Sequence, residues 1–299
     1  MKLVVVAVAL LVGCNKTKSE EAKEPPPLVA PSAGPGSSAS SSGPGSDAES
    51  RSSAGSANIP ANEPISPYQP AASVPAPIQA AIAATDRSDG DRRLDAGRKP
   101  AEVLAFFGVA PGMKIGELFA GAGYTTELMA RVVGDTGAIY AQNTKEFMDR
   151  IARKPLTERA AKPVMQRVVV VERPIDAPFP PEAKQLDLVI TVLNYHDAVH
   201  IGADRSAMNK AVFAALKKGG VYAIVDSSAA SGSGARDAGT LHRIDEQLVK
   251  TEVTAAGFKL AGESDVLRNP SDPRDWNSSP TAAGAKRGTS DRFVLKFVK

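Results

Sequence analysis

The sequence predicts an α/β fold built on a mostly parallel sheet, and three observations support this prediction. Residues 109–143 have the pattern of a strand, a glycine turn, a helix and a second strand, which is one βαβ unit with a right-handed crossover. Residues 168–171 are four consecutive valines, typical of a strand covered on both faces. Segments of strand length alternate with segments of helical spacing from Met113 to Asp226. Such alternation is typical of the α/β class.

Local spacing and turn residues define the individual elements. Helices are expected at residues 78–84, 99–107, 124–133, 144–153 and 204–216. Leu241, Ile244 and Leu248 predict one further long helix that ends at Gly257. Strands are expected at residues 113–119, 138–141, 168–171, 186–193, 221–226, 258–266 and 292–298.

Two polar stretches have more than one interpretation. Residues 86–98 mix basic and acidic side chains, and we interpret them as a solvated helical face with ion pairs. The long polar segment between the last two strands contains Trp276. Loops of this length are usually functional or disordered. Trp276 either closes over a binding site or attaches the loop to the surface.

The turn of the βαβ unit is a candidate ligand site. Gly121 and Gly123 follow the first strand directly, and a backbone without Cβ atoms lets another molecule approach closely. The helix that follows presents unpaired N–H groups and a partial positive charge. A plain strand-to-helix turn explains two glycines equally well, so the turn alone leaves both interpretations open.

The run PGMKIGELFAGAGYTTELMA resembles motif I of the class I S-adenosylmethionine (SAM) methyltransferases. Glu117 matches the acidic position of that motif, Gly121 and Gly123 match its last two glycines, and Phe119 replaces its first glycine. The later run LKKGGVYAIVD resembles the LKPGG element of the family, with Lys218 in place of proline. This resemblance, which extends to uncharacterised bacterial methyltransferases, implies a Rossmann-like three-layer sandwich. Its seven-stranded sheet would be mostly parallel with an antiparallel edge strand.

The same resemblance implies SAM as the cofactor. The residues it assigns to cofactor binding are Glu117, Phe119, Ala120, Gly121, Gly123, Tyr124, Gln142, Asn143, Asp176 and Asn194. Gln142 and Asn143 occupy the place where the family often has an acid that holds the ribose. Asp176 is the expected adenine contact, and Glu172 is the alternative.

His196 with Asp197 is the expected catalytic pair, because the family places residues at the end of the fourth strand against the methyl group and the acceptor. Histidine is also the side chain best suited to accept a proton near neutral pH. His200 and His242 are weaker candidates. In the alternative interpretation His196 only shapes the strand end. His196 and His200 are four residues apart, so a metal site with Asp197 is a further hypothesis, although no metal is expected.

The N-terminus resembles a bacterial lipoprotein signal. Residues 3–12 are apolar, too few to span a bilayer, and residues 11–14 resemble a lipobox ending in Cys14, the only cysteine. A chance cysteine behind an ordinary signal peptide is the alternative. We expect a signal peptide at residues 1–14, a disordered linker rich in Ser, Ala, Gly and Pro at 15–77 and a methyltransferase-like domain at 78–299. Lipidated Cys14 would anchor an exported, periplasm-facing protein, by resemblance in the outer membrane.

The expected function is therefore SAM-dependent methyl transfer to an unknown small-molecule acceptor. The alternative is a catalytically silent lipoprotein that binds a small molecule on a methyltransferase fold. A net charge of +3 without a concentrated basic run, and 5% aromatic residues, argue against a nucleic acid partner. The sequence has no phosphate-loop motif and no nucleophile elbow. Thr126 stands where a dinucleotide fingerprint needs its third glycine.

Overall fold

The computed structural model describes residues 68–299; the expected signal peptide, Cys14 and most of the expected linker lie outside them. The strands are β1 (Lys114–Leu118), β2 (Ala138–Asn143), β3 (Val168–Glu172), β4 (Leu186–Val192), β5 (Leu216–Ser227), β6 (Lys259–Glu263) and β7 (Arg292–Val298). The α-helices of this part of the chain are α1 (Ala76–Ala83), α2 (Asp89–Arg98), α3 (Pro100–Phe107), α4 (Tyr124–Val133), α5 (Lys145–Phe147), α6 (Arg153–Ala160), α7 (Tyr195–His200), α8 (Arg205–Ala215), α9 (Ala238–Leu241) and α10 (Glu246–Ala255). None of the helices from residue 68 onward is long and apolar enough to cross a bilayer.

The seven strands form one sheet in the order β3-β2-β1-β4-β5-β7-β6. The pairs from β3 to β5 are parallel, and β7 runs antiparallel to both of its neighbours. This arrangement confirms the predicted mostly parallel sheet with antiparallel pairing at one edge. Chain order reverses between β1 and β4, and the carboxyl ends of strands on either side of such a reversal frame a crevice.

Hydrophobic cores cover both faces of the sheet. Leu188 and Ile190 of β4 belong to one buried cluster, with side chains of α1, α3 and α4. Val189 between them belongs to the other cluster, with side chains of α8 and α10. Successive strand residues point to opposite faces, so a strand that is apolar throughout is buried on both sides. The structure is therefore the three-layer α/β sandwich that the sequence predicts.

The expected long helix ending at Gly257 is instead two helices, α9 and α10. His242 follows α9 in a left-handed conformation with φ of 50°, which ends the helix. Ile244 then forms a β-bridge with Ser228, and Asp245 caps α10 by accepting a hydrogen bond from the Gln247 amide. Tertiary pairing of Ile244 outweighs the helical spacing of the apolar residues. The break turns the His242 side chain towards the ends of β4 and β5.

Two other element boundaries differ from expectation. The helix expected to reach residue 216 ends at Ala215, because Leu216 pairs with Leu186 and begins β5. Packing also begins ahead of residue 78, inside the expected linker. The Tyr68 hydroxyl donates a hydrogen bond to Glu102 and accepts one from the Ala101 amide, which ties residue 68 to the start of α3.

Helix α2 is not the solvated face that its composition suggests. Asp95 is buried and pairs with Arg87, and Asp91 is buried and pairs with Arg159. Carboxylates in such positions must be paired, because an unpaired charge is costly away from water. The buried ion pairs therefore attach α2 to the rest of the molecule. They hold the helix beside the crevice between β1 and β4.

Candidate active site

A cavity of about 140 Å³ lies at the carboxyl ends of β1 and β4. Four parts of the chain line it: the loop after β1 (residues 119–123, called the glycine loop below), the end of β4, helix α2, and the segment between β6 and β7. Gly97 of α2 and Gly288 of that segment meet above the cavity so closely that a Cβ on Gly97 would lie 2.9 Å from the Gly288 Cα. The cavity thus has a roof made from two distant parts of the chain.

The glycine loop is held by two side chains at the end of β2. The Phe119 amide donates to Gln142 Oε1 at 3.2 Å, and the Gly121 amide donates to Asn143 Oδ1 at 2.9 Å. Phe119 and Gly121 both have positive φ, so this tight loop needs such support. Gln142 and Asn143 are fully buried and do not line the cavity. Their expected contact with a ribose is therefore replaced by contacts with the loop backbone.

Close packing against α6, and not contact with the cavity, explains why residue 123 is glycine. A Cβ at this position would lie 2.9 Å from Arg159 Cδ and 3.0 Å from Leu156 Cδ1. Its φ of 82° is also one that side chains rarely adopt. The second motif glycine is thus explained by the close approach of α6, and it does not contribute to the cavity wall.

Glu117 is a buried carboxyl in the cavity wall at the end of β1. Burial raises its pKa to about 8, although the hydroxyl of Thr126 and the charges of Arg159 and Arg98 act in the opposite direction. The carboxyl is therefore largely protonated at neutral pH, and a cation beside it would restore its charge.

Two arginines in the cavity wall have no carboxylate within 4 Å among residues 68–299. Arg292 is buried, and its guanidinium donates to the Ser290 hydroxyl at 2.9 Å and to the Gly97 carbonyl at 2.6 Å. Burial lowers its pKa to about 10. The Arg98 guanidinium lies over the Tyr124 ring at 4.6 Å, and burial lowers its pKa too. Both groups face a cavity where an anion could pair with them.

A cluster of His196, Asp197, Asp226 and His242, called the histidine cluster below, forms the other end of the site. His196 Nδ1 lies 2.7 Å from Asp226 Oδ1, and the His196 amide donates to Asp226 Oδ2 at 2.9 Å. Its Nε2 lies 3.2 Å from His242 Nδ1 and 3.5 Å from Asp197 Oδ1. All four residues are buried, and both imidazoles line the cavity.

The charge state of His196 follows from these neighbours. Burial by itself lowers the pKa of the imidazole, but the carboxylates of Asp226 and Asp197 outweigh it and raise the pKa to about 9. Burial lowers the pKa of His242, and the neighbouring charge of His196 adds to that effect. His196 is therefore the cationic member of the pair, which suits it to hold an anion better than to remove a proton.

The structure brings together most of the residues that the sequence assigned to the site. The cavity is lined by Glu117, Phe119, Ala120, Gly121, Tyr124, Asn194 and His196. Asp176 is exposed and does not line it, and the alternative, Glu172, pairs at the surface with Arg153 at 2.8 Å. Asp197 lines a second cavity, of about 210 Å³, together with His200. Neither acid is therefore part of the wall of the cavity at the end of β1.

Trp276 does not close over the site. Its indole donates to Asp272 at 2.7 Å, and its ring stacks on Arg243 at 4.5 Å, so it attaches the loop to the body of the molecule. Other members of the same segment, including Ser278 and Arg287, line the cavity instead.

Sequence reasoning missed Asp226, Arg98 and Arg292. Asp226 carried a usable signal, because it is the last acidic residue of the run LKKGGVYAIVD and stands near the carboxyl end of a parallel strand. The two arginines carried none, since their approach to the cavity depends on contacts between distant parts of the chain.

Comparisons with known proteins concern the fold. No family model matches the chain, and no curated protein matches it. A SAM-dependent methyltransferase from Aquifex aeolicus is 17% identical over 67% of this chain and 88% of its own, with a TM-score of 0.49. The 4+2 cyclase SpnF is 15% identical over 72% and 83%, with a TM-score of 0.49. Fibrillarin from Aeropyrum pernix with natively bound SAM is 15% identical over 69% and 76%, with a TM-score of 0.44.

These likenesses are too distant to carry an activity from one protein to another. The strand order, the parallel and antiparallel pairings and the crevice at the end of β1 stand on the structure itself. The described part of the chain has the Rossmann-like α/β fold of the class I methyltransferases.

Proposed function

We propose that this protein is a SAM-dependent methyltransferase that acts on a small acceptor. The observation that carries the proposal is that a single cavity is bounded by the glycine loop and Glu117 on one side and by His196 on the other. Ligands of open α/β sheets bind in the crevice outside the carboxyl ends of the strands, which is where this cavity lies.

The charged groups of the cavity fit the amino acid end of SAM. The buried Glu117 carboxyl would regain its charge beside the ammonium group. Arg98 and Arg292, which have no carboxylate within 4 Å among the described residues, are candidates for the carboxylate. A charge-assisted hydrogen bond contributes roughly 1.5–3 kcal/mol, which makes these contacts a substantial part of the affinity. Asn194, whose amide donates to the Phe119 carbonyl at 3.2 Å, would keep the loop in place.

SAM, when bound, supplies a methyl group on a sulfonium, and alignment of the acceptor accounts for most of the acceleration of its transfer. His196 is suited to hold the acceptor. Because Asp226 holds its Nδ1 and the ring lines the cavity, the imidazole would contact a polar group of the acceptor through Nε2. This is a positioning contribution, in place of the general base that the sequence suggests.

The test is calorimetric titration of the full-length protein with SAM and with its demethylated product. We expect micromolar binding that is weakened at least tenfold by Gly121→Leu, because the loop lines the cavity. Gly202→Leu is the matched control, since Gly202 also has positive φ, at 68°, and does not line the cavity. Absence of heat with both ligands, from protein that is folded by circular dichroism, would contradict the proposal.

A second candidate is a non-enzymatic protein that binds a small anion in the same cavity. The observation that favours it is that Gln142 accepts a hydrogen bond from the Phe119 amide and Asn143 accepts one from the Gly121 amide, so neither side-chain oxygen faces the cavity where a ribose would lie. Export would also separate the protein from cytoplasmic SAM. Titration with succinate and with inorganic phosphate tests this candidate: binding of either one, with none of SAM, would favour it over the methyltransferase.

We also propose that the protein is exported and anchored to the outer membrane by lipidated Cys14, facing the periplasm. The lipobox-like residues 11–14 support this, and Cys14 is the only cysteine of the chain. Metabolic labelling with palmitate should mark the native chain and not Cys14→Ser. Equal labelling of both, or recovery of the native chain in the soluble fraction, would contradict the anchor.

A further inference from the structure

The geometry points to a transition-metal site formed by His196, His242 and Asp197, and we propose that the protein binds one zinc-like divalent cation there. The three ligand atoms would be His196 Nε2, His242 Nδ1 and Asp197 Oδ1, which all lie within 4.8 Å of one another. This site is built from residues other than those proposed to bind SAM, although His196 and His242 line the same cavity. It also differs from the pairing of His196 with His200 that sequence spacing suggests.

The distances between the three atoms match tetrahedral coordination. The two nitrogens are 3.2 Å apart, and they lie 3.5 and 3.7 Å from the carboxylate oxygen. The circle through three atoms at these separations has a radius of about 2.0 Å. Zinc binds imidazole nitrogen at about 2.0–2.1 Å and carboxylate oxygen at about 2.0–2.2 Å. A cation displaced slightly from the plane of the three atoms, towards a fourth ligand, could therefore contact all three at these bond lengths.

The other ring nitrogen of His196 is held as a metal-binding histidine requires. Nδ1 lies 2.7 Å from Asp226 Oδ1, and the same carboxylate also accepts the His196 backbone amide. With a proton on Nδ1, the neutral ring has its lone pair on Nε2, the nitrogen that lies 3.2 Å from His242 Nδ1. Carboxylate–histidine pairs of this kind orient most metal-binding imidazoles and increase their basicity.

The backbone brings the ligands together before any metal arrives. His196 and Asp197 are consecutive residues in the first turn of α7. His242 stands at the left-handed break between α9 and α10, where its carbonyl accepts a hydrogen bond from the Ser278 hydroxyl at 2.6 Å. A non-glycine residue with positive φ at a buried site is uncommon and marks a local constraint. The break places an imidazole where an unbroken helix could not.

Electrostatics favour a cation at this point. Two buried carboxylates, Asp197 and Asp226, share the cluster, and buried charges need partners of opposite sign. Arg292 is within Coulombic range of Asp226 and offsets part of this charge. A divalent cation bound at Nε2 would displace the second ring proton of His196 and replace it as the partner of these carboxylates. Two nitrogen donors select a transition metal over magnesium or calcium, which prefer oxygen.

The fourth coordination position would serve a ligand of the cavity. His196 and His242 both line the cavity that the glycine loop bounds. Three protein ligands and one open position are the usual arrangement of a catalytic, and not a structural, zinc site. A metal at this position would hold an oxygen of a bound small molecule directly, in place of the contact with His196.

The experiment uses the full-length protein without an affinity tag, stripped with a chelator and titrated with Zn²⁺. We expect one equivalent to bind, and Co²⁺ to give the intense visible absorption of four-coordinate cobalt. His242→Asn should lower the Zn²⁺ affinity at least 100-fold, because asparagine tolerates positive φ and so keeps the backbone while removing the ligand. Asp226→Asn should lower it by about 10- to 100-fold, as loss of a ligand's supporting partner does.

His200→Asn is the matched control, because the His200 ring is 6.2 Å from the His242 ring and His200 is not among the three ligands. Its Zn²⁺ affinity should equal that of the native protein. Equal affinities in His242→Asn and His200→Asn, or no stoichiometric binding by the native protein, would overturn the proposal. Titration of the same metal-free samples with SAM measures cofactor binding separately, so failure of the metal site and failure of the proposed function can be distinguished.

Discussion

Buried and half-buried arginines of residues 68–299 include two groups that differ in what they pair with. One group has a carboxylate partner within 3 Å: Arg87 with Asp95, Arg159 with Asp91, and Arg243 with Asp272. In the other group, Arg98 and Arg292 have none within 4 Å among the described residues, and both line the cavity. The first group joins elements of the fold, and the second leaves its charge available to a ligand.

The presence or absence of a carboxylate partner distinguishes arginines that join elements of the fold from arginines that can bind a ligand, even when the ligand is unknown. A buried ion pair contributes little net stability, yet removal of one partner is costly because the other is left uncompensated. Removal of a guanidinium that has no carboxylate within 4 Å leaves no directly paired carboxylate behind, although Arg292 also lies within Coulombic range of Asp226. Substitutions that break an ion pair of the first group should therefore lower the free energy of unfolding, whereas substitutions in the second group should mainly weaken ligand binding.

The largest effect is expected from Asp95→Ala, which removes the partner of the buried Arg87 and of the Tyr124 hydroxyl. Such an uncompensated charge should cost about 3–5 kcal/mol of the free energy of unfolding. Urea denaturation followed by circular dichroism measures it. A loss below about 1 kcal/mol would show that water reaches Arg87, and would contradict the division of the arginines into two groups.

Arg292→Met should change the free energy of unfolding less than Asp95→Ala does. It should instead weaken SAM binding by roughly 10- to 100-fold, because a charge-assisted contact is lost. Calorimetry and urea denaturation on the same sample separate the two effects. Arg236→Met, at an exposed arginine paired with Asp237, is the control. An Arg292→Met protein as unstable as Asp95→Ala would assign Arg292 to the structural group.

Glu117→Gln should show a pH-dependent gain in stability. The folded-state pKa of Glu117, about 8, lies above its ordinary value of 4.5, so the native protein loses stability as pH rises between these values. Glutamine cannot ionise and avoids that loss. The difference in free energy of unfolding between Glu117→Gln and the native protein, measured by urea denaturation, should increase by about 1 kcal/mol between pH 5 and pH 6 and be constant below pH 4. A pH-independent difference would mean that Glu117 is ionised in the folded protein.

The smallest effect is expected from Asp149→Ala. Asp149 pairs with Arg153 and Lys145, but all three side chains are exposed, and ion pairs in water contribute little. The urea midpoint should not move measurably. A shift approaching that of Asp95→Ala would show that burial does not separate the two kinds of ion pair.

The sheet was predictable from the sequence because strand signals are local. The four valines of β3, the apolar run of β4 and the glycine turn before α4 each carry their pattern within about ten residues. Helix α4 begins and ends at the predicted residues, Tyr124 and Val133. The parallel part of the sheet then followed from alternation and crossover handedness, which are general rules, whereas the antiparallel edge was implied by the family resemblance.

The site was only partly predictable because its chemistry depends on contacts between distant residues. Gln142 and Asn143 were found as buried amides at a strand end, but an amide can bond a loop backbone as well as a ribose, and here it does the former. The spacing of Leu241 and Ile244 indicates an unbroken helix, and nothing local shows that Ile244 pairs with Ser228. His242 could therefore not be placed beside His196 from the sequence.

The roof of the cavity has a consequence for the order of folding. The Arg292 guanidinium donates to the Gly97 carbonyl across 195 positions of sequence. Contacts between such distant residues carry the largest loop-closure entropy and tend to form late. We expect refolding chains to regain their secondary structure before they can bind a ligand. For a time after the sheet has assembled, the protein would be folded by most spectroscopic measures and still have no working site.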